Sequence, residues 1–471
     1  MDLRRFIELC EQAGQVKRIK AEVDWNLEIS HISKVNEDKS GPALLFENIK
    51  GYDSPVFTGA FTTAKRLSLA LGKKEDLSMV EIIKEWMNLT VSMQELVPAQ
   101  EVKDGPIFEN ILDGDKVDIF NFPAPKFYEL DGGRYIGTMA TMVLRDPETD
   151  NINIGVYRMG ILDSKTAGVQ ILKGKRGDKI LKKYQKAGKK MPACAIIGGD
   201  PLLLLSAAAM MTQTNGYDVV STLRDQTMEI VRAPLTGLPV PATAEIVLEG
   251  EIDPDNLREE GPLGEYTGYY TDEIYHPTPK PALEVHRIYY RDNPILWETS
   301  GGRPVSDLQM FVSCIRSAMV WTDLVRMDIP GIKSVYVLPE SAGQFWAIIS
   351  LQQMYPGHSE QAGAAVMASN AASYSIKGAI IVDDDINADD LSRVWWALGT
   401  RYNPARGTQI FKRSRSAPLD PSCGPDDNKD ISSRIILNAT IPFDWKIKPT
   451  EIELTQSIMD KVKSRWKEYG I

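Results

Sequence analysis

The stretch "EEGPLGEYTGYYT", Glu259 to Thr271, sets Glu260 and Glu265 on either side of Gly261, Pro262 and Gly264. Glycine and proline punctuate a turn, and a tight turn fixes two carboxylates at a short separation. Paired acids of that kind are general acid–base machinery or solvated loop charges. Upstream, Asn153 and Arg158 bracket the apolar run of "NINIGVYRM". An arginine there is awkward to leave exposed, although a surface charge is the simplest reading. In "KGKRGDK", Lys173, Lys175 and Arg176 alternate with Gly174 and Gly177. Glycines let a backbone approach a phosphate and cations neutralise it; a solvated basic loop has the same composition.

Other chemistries have no support. GxSxG, Walker A and HExxH motifs are absent, and "GGDP" and "DGGRY" are not dinucleotide loops. His31, His276, His286 and His358 show no ligand spacing. Cys10, Cys194, Cys314 and Cys423 form no CxxC, which fits a reducing cytoplasm. The net charge of -10 argues against a nucleic-acid partner. The start "MDLRRFIELC" has no signal-peptide core. The most apolar run, "PLLLLSAAAMM", is about half of the roughly 20 residues that a membrane span needs, and is expected as buried core.

The elements that must position these residues fall into three regions. With 471 residues, two or three domains are expected. Leu3, Phe6, Ile7 and Cys10 predict a first helix, capped by Asp2 and stopped at Gly14. "QVKRIKAEV" and the two halves of "ALLFENIKGYDSPVFTGAF" predict strands in an α+β region, residues 1–108. Residues 109–306 carry short strands divided at Asp131-Gly132-Gly133, Asp146–Thr149 and Asp163-Ser164. They predict a β-rich barrel or sandwich with a helical insertion. Residues 307–471 alternate helix and strand, an α/β region that closes on an amphipathic helix in "EIELTQSIMDKVKSRWKEYG", a docking or oligomer contact.

Several multi-part motifs occur together: "PAPKFY", "DGG", "RDPETD" and "NIGVYRM" between Pro123 and Arg158, then "VPATAEIVLEGEI", "EEGPLGEYTGYY", "IIVDDDI", "WWALGTRYNPARG" and "LDPS". In that order they resemble the UbiD-type decarboxylases, which use prenylated FMN, over nearly the whole chain. Tyr128 and Asp150 depart from the family pattern. The resemblance implies a split β-barrel holding the flavin, flanked by an N-terminal α/β region and a C-terminal α/β region that mediates homodimers or homohexamers. It carries a Glu–Arg–Glu network onto Glu260, Arg158 and Glu265. Glu265 would protonate the product carbon, with Glu260 and Arg158 tuning it.

The implied reaction is reversible, non-oxidative loss of CO2 from an aromatic, heteroaromatic or α,β-unsaturated acid through an adduct with the flavin. A carboxylase, an aryl-CoA decarboxylase and a non-catalytic homologue share the fold. A flavin prenyltransferase would supply the cofactor. The flavin contacts carried over are Asn153, Val156, Tyr157, Arg158, Gln170, Ile171, Leu172, Lys175, Arg176 and Gly177, with Arg434 near the phosphate. Gly302, Arg303 and Pro304 stand where the family lines its substrate pocket. The family also implies potassium and a divalent ion, manganese or iron, held by an asparagine, a histidine and a glutamate. The asparagine is Asn153, but Lys175 and Gly216 stand at the other two places. An ammonium has no lone pair to ligate with. Asp218 shares a face with position 216 only on a strand.

Overall fold

The computed structural model describes residues 1–73, 77–93, 95–209, 215–452 and 454–470. Helix Leu3–Gln12 buries Leu3, Phe6, Ile7 and Cys10, the stripe expected of a 3.6-residue period. Asp2 accepts from the Arg5 amide at 2.8 Å and closes its start. Gly14, at φ 68°, makes the left-handed exit into strand Val16–Ile19. That strand, Ala43–Phe46, Val56–Thr58 and Leu296–Trp297 form one mixed sheet. Its last strand comes from the end of the middle region, so the first two regions share a sheet.

The middle region is built around one curled antiparallel sheet. Along its main path run Ile152–Val156, Thr141–Arg145, Met191–Ile197, Ile246–Ile252, Ala282–Tyr290, Thr166–Val169 and Met159–Asp163. Asn110–Asp113 pairs with Ala282–Tyr290 off that path. The two edges of the path, Ile152–Val156 and Met159–Asp163, are consecutive in the chain, with only Tyr157 and Arg158 between them. A two-residue link cannot cross a flat sheet, so the sheet curls until its edges lie side by side. Of the barrel or sandwich expected, the structure has an open half-barrel, with Arg158 at its seam. Helices Arg176–Lys186, Pro201–Ala208 and Gly216–Arg224 are inserted in this region. Pro201–Ala208 is buried along most of its length, as its uniform apolarity requires; Met210 and Met211 of the same run lie outside the described residues.

In the C-terminal region the strand order is Ile332–Val337, Trp346–Leu351, Gly378–Asp383, Ile431–Asn438, Thr408–Arg415. The three inner strands are parallel and the edge pairings antiparallel. Helix Asp307–Arg326 packs on this sheet and on helix Met79–Ser92. The tail helix Gln456–Ser464 buries no residue; Glu453, in the run expected to lead into it, lies outside the described residues.

Candidate active site

Glu260 sits in a slot made by absent side chains. Gly160 and Gly168 are cross-strand partners at the seam edge. A Cβ on Gly160 would stand 2.8 Å from Glu260 Oε1, and one on Gly168 2.5 Å from Glu260 Cγ. The loop beyond it is pinned by the "DGG" turn. The Asp131 carboxylate accepts from the Tyr128 amide at 2.9 Å and from the Gly264 amide at 2.8 Å. Gly264 must be glycine, because a Cβ would meet the Tyr128 ring at 2.3 Å. Thr271 Oγ1 accepts from the Leu263 amide at 3.0 Å. The turn read in the sequence is thus a rigid loop, held by a second turn more than a hundred residues upstream.

Arg158 bridges the two acids. Its Nη1 donates to Glu265 Oε1, and its Nη2 lies 3.3 Å from Glu260 Oε2 and 3.4 Å from Gln170 Oε1. Lys280, which sequence reasoning missed, donates to Glu260 Oε2 at 2.6 Å and pairs with Glu273 at 2.8 Å. Burial alone pushes the Glu260 carboxyl up, but Arg158 and Lys280 outweigh it and hold the group below the usual range. Burial draws the Arg158 guanidinium down, yet Glu265 and Glu260 hold it above its ordinary value. Among the described residues, Glu260 Oε1 and Arg158 Nε have no hydrogen-bond partner. The only sign of Lys280 in the sequence is a cation between two prolines at the head of an apolar strand.

A cavity of about 810 Å³ opens beside this network, within the range of small-molecule and cofactor sites. Asn153, Val156, Tyr157, Arg158, Gln170, Leu172, Lys175, Arg176 and Glu265 line it. Glu260, Ile171, Gly177, Arg303 and Arg434 do not. Glu260 stands behind Arg158. Gly177 packs under Tyr157, whose hydroxyl would lie 2.3 Å from a Cβ there. Arg434 turns instead to the backbone carbonyls of Met367 at 3.0 Å, Ser373 at 2.6 Å and Arg415 at 2.9 Å. It shapes the wall formed by Ser373 and Arg415 and does not itself line the cavity. Arg316, Arg415 and Tyr374 line the cavity and were not anticipated. Burial, and then Arg316 and Arg415, draw the Lys175 ammonium down to about 8.

The residues fit a flavin. One part of the cavity gathers Lys175, Arg316 and Arg415, suited to a phosphate. Phe127, Ile154, Leu172, Leu263 and Phe311 supply apolar walls for a ring system. Glu265 faces the same space, with Arg158 and its unpartnered Nε beside it. The divalent ion does not fit: among the described residues no group of three or more His, Cys, Asp or Glu could hold one.

Three family models cover the chain: the N-terminal domain of 3-octaprenyl-4-hydroxybenzoate carboxy-lyase at residues 7–86, its Rift-related domain at 100–304, and its C-terminal domain at 309–439. An uncharacterized protein of Archaeoglobus fulgidus is 31% identical, with 99% of this chain and 98% of that one aligned. Among solved structures, HmfF of Pelotomaculum thermopropionicum in complex with FMN matches at TM-score 0.86 and 28% identity, over 98% of both chains. Vanillic acid decarboxylase of Sedimentibacter hydroxybenzoicus in its open form matches at 0.86 and 29%, over 99% of both.

Proposed function

The chain belongs to the UbiD family, and from that premise we propose that it is a carboxy-lyase dependent on prenylated FMN. Its substrate is an aromatic, heteroaromatic or α,β-unsaturated carboxylic acid, and the reaction is reversible and non-oxidative. The observation that carries the reading is Glu265, bound to Arg158 and facing an apolar-walled cavity with a cationic lobe. The similarity to a vanillic acid decarboxylase favours the aromatic class.

Loss of CO2 from an sp² carbon leaves an electron pair that no amino-acid side chain can accept, and the bound prenylated flavin supplies that sink. The chain's residues do the rest. The apolar walls exclude water from the reacting acid. Glu265 gives a proton to the carbon that CO2 has left. Its carboxylate is then received by Arg158 Nη1, the contact seen in the structure. Glu260 stays ionised between Arg158 and Lys280 and keeps the guanidinium in place. A proton from bulk solvent, the one that decarboxylation of a carboxylate consumes, restores Glu265 for the next turnover. Run backwards, Glu265 removes the proton and CO2 is added.

A flavin prenyltransferase supplies the cofactor, and the chain works as a homodimer or homohexamer. The apolar side chains Ile447, Ile452 and Leu454, exposed to 89%, 94% and 75%, support self-association through the tail. Among the described residues no helix is long and apolar enough to cross a membrane. Full-length chain co-expressed with a flavin prenyltransferase is expected to purify coloured and to release CO2 from at least one acid in an aromatic and heteroaromatic panel that includes vanillate. A colourless, inactive preparation would overturn the reading.

A further inference from the structure

Three cations from three separate elements meet in one lobe of the cavity. Lys175 immediately precedes helix Arg176–Lys186, Arg316 lies within helix Asp307–Arg326, and Arg415 ends strand Thr408–Arg415. Lys175 Nζ is 3.8 Å from the centre of the Tyr374 ring, and Arg415 Cζ is 5.5 Å from the same centre. Arg316 gives a hydrogen bond to the Ala371 carbonyl at 3.2 Å, and among the described residues no carboxylate forms an ion pair with it. Like charges gathered out of water are costly unless a counter-charge joins them. The positive end of helix Arg176–Lys186 begins at the same lobe and adds to the demand for an anion.

Two of the three residues a divalent ion would need are missing. Asn153 is present and lines the cavity, its amide nitrogen donating to the Tyr157 hydroxyl at 3.2 Å, so its amide oxygen is left as a lone ligand. Lys175 stands at the second ligand position, and a charged ammonium donates without ligating. Gly216 stands at the third, with Ile154 Cδ1 3.1 Å from where its Cβ would be. Asp218, two residues on, lies in helix Gly216–Arg224, and its carboxylate accepts from the Ala99 amide at 2.8 Å. It does not line the cavity.

We infer that this chain anchors the phosphate of its flavin without a divalent cation, through direct contacts from Lys175, Arg316 and Arg415; the inference rests on the flavin reading proposed above. Three positive charges facing a phosphate dianion neutralise it with no metal between.

The test uses the full-length chain, with FMN and riboflavin as probes. FMN affinity should be the same after dialysis against EDTA and after addition of manganese, and elemental analysis of the FMN-loaded protein should find far less than one equivalent of manganese or iron. Lys175→Met and Arg415→Met should each weaken FMN about tenfold or more, while leaving riboflavin, which has no phosphate, unchanged. Equal riboflavin binding also shows that the variants are folded. Retention of about one equivalent of metal, with FMN affinity lost on chelation or in Asn153→Ala, would overturn the inference and leave the flavin reading standing. FMN affinity unaffected by either substitution would overturn it too. If neither FMN nor riboflavin binds, the flavin reading falls and the inference falls with it.

Discussion

Glu260 has two cationic neighbours, and the one nearer to it was not legible in the sequence. Lys280 reaches its carboxylate at 2.6 Å, against 3.3 Å for Arg158. With its side chain only 6% exposed, it joins Glu260 to Glu273. Removing it leaves both acids facing each other with one cation fewer. Lys280→Met should therefore destabilise the fold by about 3–5 kcal/mol, the usual cost of breaking a buried pair from one side. It should also let the Glu260 carboxyl rise, because the group's depression depends on Arg158 and Lys280 together. The sign follows from that shift. A carboxyl that must be ionised for turnover loses activity as pH falls through its pKa, so the acid limb of the pH–kcat profile should move to higher pH. Lys280→Arg should restore most of it. An unchanged profile in Lys280→Met would remove Lys280 from the site. Arg158, Glu260 and Glu265 were legible because they lie inside multi-part motifs. Lys280, Arg316 and Arg415 were not, because each is a single basic residue in an ordinary helix or strand and acquires a role only where the fold brings distant segments together.

Elements were legible where a period and a cap coincide. Helix Leu3–Gln12 has both an apolar stripe and a capping aspartate. Helix Glu28–Glu37 has neither a side-chain cap nor a strong stripe; its N-cap is Leu27 at φ 69°. The strand edge that holds Glu260 was readable as a strand, but not as a slot, because pairing Gly160 with Gly168 is a matter of register. A second buried acid marks the end of strand Leu296–Trp297. Glu298 accepts from the Thr138 amide at 2.9 Å and from its hydroxyl, and burial pushes its carboxyl up to about 8. Its folded pKa lies above the ordinary value near 4.3, so the folded chain keeps this proton through a pH range where the unfolded chain has lost it. The stabilisation is full below about 4.3 and is lost as pH rises through about 8. Thermal stability should decline across that window, by up to about 1.4 kcal/mol per pH unit from this group. In Glu298→Gln, melting followed from pH 5 to 9 should lack that share of the decline. Identical pH slopes in the two proteins would show that Glu298 is already ionised in the fold.

At the scale of the whole molecule, the three regions are tied through the site. Helix Asp307–Arg326 carries Arg316 into the cavity, packs on the C-terminal sheet, and at its first residue accepts from the Ala60 amide at 3.0 Å in the N-terminal region. The curl of the middle sheet sets its seam, and Arg158 with it, beside that helix. The alternation of helices and strands announced three regions, but not that the third would complete the pocket of the second; that depends on how whole sheets pack. On the function proposed above, this assembled pocket delivers a proton from Glu265 to the carbon that CO2 leaves. The most direct measurement is turnover of an accepted acid in D2O by cofactor-loaded enzyme, wild type and Glu265→Gln, with flavin content determined in both. One deuterium is expected at the vacated carbon in the wild-type product, with a loss of about 10²–10⁴-fold in turnover for Glu265→Gln and flavin retained. Wild-type rates of CO2 release from flavin-loaded Glu265→Gln would contradict it.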